Sequence, residues 1–242
     1  MNYTLEISYI GTNFFGFSKQ LEQYKTVQST IEGTLLKFFN KPTPIIGCGR
    51  TDKYVHAIKH ISNFHTNETF NMDELFYFLQ KNLSDDDIYI KKVEQVKENF
   101  HARFSCKSKT YLYKINDNIF NCFQKDYIYQ FNRKINMRKM KRLAKYFIGE
   151  KNFLSFSTSK LENTTRTINW IKIKKEENII CIYINANGFL RNMVRMIVAS
   201  LIKFSFEYDK RDNIFKLLDN PKKGSSIEKA PGLGLYLFEI NY

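Results

Sequence analysis

The chain has 242 residues, 43% apolar and 16% aromatic. That is enough to bury a core as one large or two small domains, and too apolar for a disordered chain. Lys and Arg outnumber Asp and Glu by 38 to 24, a formal +14, which suits a polyanionic partner, nucleic acid or an anionic membrane. A basic bias of the whole proteome gives the same sign, but the charge is spread through folded-looking segments rather than a tail, as on a binding surface. The four cysteines lack CxxC spacing and no signal peptide is visible, so they read as reduced cytosolic thiols. His56 and His60 stand four apart without the glutamate of HExxH or a third ligand, which argues against zinc. The longest apolar helix candidate, 189–204, is too short for a membrane span and contains arginines.

In chain order, Tyr3, Leu5, Ile7 and Tyr9 alternate with polar residues and predict a half-buried strand. Val27, Ile31, Leu35 and Phe38 share one face of a helix. A polar loop follows at 47–57, then a strand near 58–65. Asn71, with Glu74 three residues on, caps a second helix. IYIKKVEQV closes the first half as a strand, giving β-α-β-α-β. A hinge near Phe100–Arg103 opens the second half. There Tyr111, Tyr113 and Ile115 share a strand face, and a helix runs from about Asn136 to Phe147 with Gly149 at its C′ position. Residues 167–188 read as a hairpin with its tip at Glu176–Asn178. Residues 189–204 give the strongest helical pattern, and a short helix at 212–219 and a strand at 234–241 follow. The expected class is α+β, with helices on one side of each sheet and the opposite faces free.

The polar loop, GCGRTDKYVHA, is the stretch richest in chemistry. Gly47 and Gly49 permit unusual backbone conformations and close approach. Arg50 and Asp52 are two apart, so in an extended chain they share a face. An arginine there favours an ionised Asp52, a candidate nucleophile or base; the plain alternative is a surface Arg–Asp pair. Arg195 lies between Val194 and Met196 on the apolar helix. It reads either as a buried cation in need of a partner or, with Arg191, as a solvated basic stripe.

GCGRTDKYVHA resembles the GxGRTDxGVHA motif of the tRNA pseudouridine synthase A family. FHARFS at 100–105 with KTYLY at 109–113, SFS with RTI at 155–168, GFLRNMVRMIVASL at 188–201 and GLGLYLFEINY at 232–242 resemble further family motifs in order. YIGTNFFGFSKQ and TVQSTIE extend the likeness towards the start. The resemblance implies two α/β domains, 1–103 and 104–242, with mainly antiparallel sheets joined across a central active-site cleft. It implies a homodimer acting in the cytoplasm on tRNA, at the 3′ side of the anticodon stem-loop, about positions 38–40, on a base flipped out of its stem. By the same resemblance Asp52 is the catalytic residue, Tyr111 stacks on the base and assists proton removal, Arg195 pairs with the aspartate, and Arg50 helps displace the target nucleotide.

The product of such a reaction is an isomer, so no cofactor or metal is required. Attack of Asp52 on C6, attack on C1′, and removal of a sugar proton to give a glycal all fit the sequence. His56 reads as structural or phosphate-facing. Lys53 and Tyr54 stand where the family has a small residue and glycine, Ser18 replaces a Gln, Gln80 an Asn and Ala199 a Gly. These departures bear on substrate choice and loop geometry, a bulky Tyr54 above all. Two rivals remain: an RNA-binding module without activity, and a synthase serving another RNA.

Overall fold

A computed structural model describes residues 1–158, 162–206, 211–223, 225 and 228–242. In chain order the elements are β1 (Asn2–Tyr9), α1 (Val27–Phe39), β2 (Ile46–Gly47), β3 (His56–His65), α2 (Met72–Leu83) and β4 (Ile88–Val96). There follow β5 (Ser108–Asn116), β6 (Tyr129–Gln130), α3 (Met137–Ala144), β7 (Gly149–Asn152), β8 (Thr165–Glu176), β9 (Ile179–Ala186), α4 (Met193–Phe206), α5 (Arg211–Asp219) and β10 (Leu235–Asn241). The class is α+β with mainly antiparallel pairing. The chain forms two compact units, Met1–Lys107 with Tyr236–Tyr242, and Ser108–Leu235.

In the first unit the sheet order is β4-β1-β3-β10, with β2 on β3. Every pairing is antiparallel except β10 on β3, where Tyr236 and Leu237 register with His56 and Ala57. The apolar set of β1 (Tyr3, Leu5, Ile7, Tyr9) is buried, as are Val27, Ile31 and Leu35 of α1 and Leu75, Leu79 and Leu83 of α2. Thr26 and Ser29 form a capping box on α1, and Asn71 caps α2 by accepting from the Asp73 and Glu74 amides. The opposite sheet face is not wholly free, contrary to the sequence pattern. Asn2 and Asn63 are buried there. Asn2 Nδ2 donates to the carbonyls of Lys97, Glu98 and Phe100 and Asn63 Oδ1 accepts from the Ala102 amide, so the FHARFS segment is tied onto β1 and β3.

The second unit has the order β5-β9-β8-β7, with β6 parallel to β5. Ile180, Ile182 and Ile184 of β9 and Met193, Ile197 and Leu201 of α4 are buried, with Met140 and Leu143 of α3. The β8–β9 turn is two residues long, with Glu177 at φ 44° and Asn178 at φ 68°, the signs of a type I′ hairpin. Two expectations need correction. The helix after Asn136 ends at Ala144 and tightens into a 3₁₀ turn over Lys145–Phe147. Gly149 does have a positive φ of 96°, but it follows an extended Ile148 and opens the short strand β7. The apolar helix starts at Met193, not near 189, because Asn192 sits at φ 63°, outside the right-handed helical region.

Candidate active-site residues

The 47–57 loop is fixed on both sides of its functional side chains. The buried Cys48 donates its amide to Ile61 O at 2.8 Å. His60 stacks on Phe17 at 4.0 Å between centroids. Gly47 must be glycine because a Cβ there would overlap the Phe17 ring. The buried Thr51 Oγ1 shares a hydrogen bond with Tyr9 OH at 2.9 Å, and its carbonyl accepts from the Phe17 amide at 3.2 Å. On the far side His56 is fully buried, its Nδ1 accepting from the Gly11 amide at 3.1 Å and its ring stacked on Tyr236 at 4.6 Å. That arrangement makes His56 structural. Between these anchors Arg50 is exposed and Asp52 half-buried, with the buried Thr51 separating them.

A tight turn closes this loop, with the Val55 amide donating to Asp52 O at 3.1 Å. Its third residue, Tyr54, takes φ 69°. Among the described glycines only Gly16 and Gly149 have positive φ, so the unusual backbone expected at Gly47 or Gly49 falls on Tyr54 instead. A bulky L-residue pays about 1 kcal/mol or more for this conformation. Gly11 and Gly16 press directly against the loop, and a Cβ on Gly16 would lie 2.6 Å from Thr51 O.

In the second unit Tyr111 lies on β5 opposite Ile184 of β9. It is 9% exposed and meets Phe189 edge-on at 5.0 Å. Arg195 is half-buried in the first turn of α4 between buried Val194 and Met196. Its Nε donates to Ala230 O at 2.7 Å and its Nη1 to Asn192 Oδ1 at 3.3 Å. Arg191 is exposed and precedes the helix, so the two arginines form no helical stripe. The residue that sequence reasoning missed is Tyr113. It is fully buried, its hydroxyl donates to Pro231 O at 2.7 Å, and burial pushes its phenol pKa well up. Tyr113 and Arg195 thus hold adjacent carbonyls of one segment. The second tyrosine of KTYLY was its signal.

The family model for tRNA pseudouridine synthase matches residues 7–105 and 143–242. The chain belongs to the tRNA pseudouridine synthase A family. A protein of Malacoplasma penetrans named tRNA pseudouridine synthase A is 48% identical over 100% of both chains. One of Ureaplasma parvum with the same name is 43% identical, again over 100% of both. The tRNA pseudouridine synthase A 1 of Clostridium tetani is 39% identical over 100% of this chain and 99% of its own.

The tRNA pseudouridine synthases are isomerases, and this chain is an enzyme of that family. Its departures from the family motif are now located. Gln80 reaches into β4, its Oε1 accepting from the Ile90 amide at 2.6 Å. Ser18 and Ala199 are half-buried. Tyr54 adopts the left-handed backbone that glycine takes readily. No helix among the described residues is long and apolar enough to cross a membrane.

Proposed function

We propose that this enzyme converts uridine to pseudouridine in tRNA, on the 3′ side of the anticodon stem-loop at about positions 38–40, with Asp52 as its catalytic residue. The observation that supports this best is the family match along the chain, together with a half-buried Asp52 held on a loop anchored at Thr51 and His56. The reaction breaks the N1–C1′ bond, turns the base, and joins C1′ to C5. C5 gives up its proton and N1 ends protonated, so atoms balance without a co-reactant.

In this reading Asp52 supplies the carboxylate that acts on the nucleoside and Tyr111 offers a ring face and a hydroxyl to the detached base. Arg195 keeps the carboxylate ionised and oriented, and Arg50 fills the space left by the flipped nucleotide. The division of labour follows the sequence halves, 1–103 carrying Asp52 and 104–242 carrying Tyr111 and Arg195. We further propose a homodimer acting in the cytoplasm.

Asp52→Asn tests the assignment. Tritium release from tRNA labelled at uridine C5 should fall to background, while tRNA affinity stays within a few-fold because phosphate contacts supply most of it. Normal release by the variant removes Asp52 from the chemistry. Mapping pseudouridine in tRNA from cells with and without the gene tests the positions.

A further inference from the structure

Next to Asp52 two exposed aromatic rings share one cation. Lys53 Nζ lies 4.0 Å from the Phe15 ring centroid and 4.7 Å from that of Tyr54. Phe15 is 39% exposed and Tyr54 41%. Phe15 is also backed by Tyr24, centroids 4.8 Å apart. Large exposed rings are ordinarily scattered singly; here two of them flank one cation beside Asp52.

The cluster is held rigidly. The Phe15 amide donates to Lys25 O at 2.9 Å and the Phe17 amide to Thr51 O at 3.2 Å. Gly16 between them sits against that same Thr51 carbonyl. Lys53 and Tyr54 are the two central residues of the turn from Asp52 to Val55. The rings are therefore fixed to the backbone that carries Asp52. Tyr54 holds its place at φ 69°, where a tyrosine is strained and glycine is not. Stability does not account for a tyrosine there, so its ring needs another use.

We propose that Tyr54, Lys53 and Phe15 form a platform that grips the nucleotide left unstacked beside the flipped target uridine. The Tyr54 ring stacks on its base and the Lys53 ammonium meets its phosphodiester. Aromatic faces combined with cations are how proteins hold single-stranded nucleic acid with little base preference. The platform is a substrate-binding element and takes no part in bond making. The proposal rests on the pseudouridine synthase reading above and adds a second point of hold beside the flipped base.

The test compares wild type with Tyr54→Phe, Tyr54→Gly, Tyr54→Asn and Lys53→Gln on one tRNA transcript. Kd is read by filter retention, KM and kcat by tritium release, and Tm by thermal unfolding. Glycine and asparagine both tolerate the positive φ, so losses in those variants do not arise from misfolding, and Tm verifies this. Tyr54→Gly and Tyr54→Asn should raise Kd and KM roughly ten-fold with a much smaller change in kcat. Tyr54→Phe should recover most of the affinity, and Lys53→Gln should lower the salt slope of binding by about one. Unchanged Kd and KM in both Tyr54→Gly and Tyr54→Asn, or a loss confined to kcat, overturns the platform. Should wild type bind the transcript yet release no tritium, the functional reading falls, and the Kd series still decides the platform.

Discussion

Arg195 and Ala230 exchange two hydrogen bonds. The guanidinium Nε donates to Ala230 O at 2.7 Å, and the Ala230 amide donates to Arg195 O at 3.1 Å. With Nη1 on Asn192 Oδ1, the planar head of Arg195 is fixed at two edges before any ligand arrives. Arginine suits this task because its donors form a rigid fork.

On the proposed role of Arg195 in orienting Asp52, Arg195→Lys should be a damaging change. Lysine keeps the charge but has no Nε–H for Ala230 O and no planar fork for a carboxylate. Misplacement of a reacting group by about 1 Å costs on the order of a hundred-fold in rate. Single-turnover rates should fall by roughly that factor, with tRNA affinity little changed. Rates equal to wild type would return Arg195 to a purely structural role.

His56→Phe should destabilise the protein without disturbing the ring stack on Tyr236. Phenylalanine keeps a flat ring but leaves the buried Gly11 amide without its acceptor. An orphaned buried donor costs about 1–3 kcal/mol. Urea unfolding should show a lower midpoint at unchanged slope. An identical midpoint would mean that Gly11 finds another acceptor.

Cysteine labelling separates two environments. Burial first, and then the negative charge of Glu176, push the Cys181 thiol up from 9.0 to about 11. Cys122 is exposed. Iodoacetamide at pH 8 should therefore alkylate Cys122 in the native protein and spare Cys181 until urea unfolds it. The folded state holds the Cys181 proton more tightly than the unfolded chain, so stability should also decline as pH rises from 9.0 through about 11. Early labelling of Cys181 on peptide mapping would show that β9 opens locally.

Much of the fold was legible because alternation in β1 and the helical stripes of α1 and α4 report directly which side chains face a core. The loop at 47–57 was legible as a site because its residue types are concentrated there and match a family motif. What stayed hidden is partnership. A strand's alternation is the same whichever neighbour it pairs with, so GLGLYLFEINY did not disclose that β10 runs parallel to β3. Tyr113 shows in the sequence only as one member of a strand face, because its grip on Pro231 joins residues 118 apart in the chain. The positive φ of Tyr54 was hidden for a different reason. The residue's own preference opposes that conformation, and only the surrounding contacts impose it.

The parallel pairing of β10 with β3 has a consequence for the order of assembly. The Lys107 amide is satisfied by Asn241 O, and the Tyr242 hydroxyl reaches Ala102 O. Ribosomes deliver residues 1–107 well before 236–242, and all of 108–235 must emerge in between. Until then β3 has an exposed edge where β10 will lie, and His56 lacks the ring that covers it. The nascent first unit is thus a partly built sheet with an open edge, prone to pairing with other chains. The His56 end of the loop that carries Asp52 gains its stacking partner only once β10 has been made.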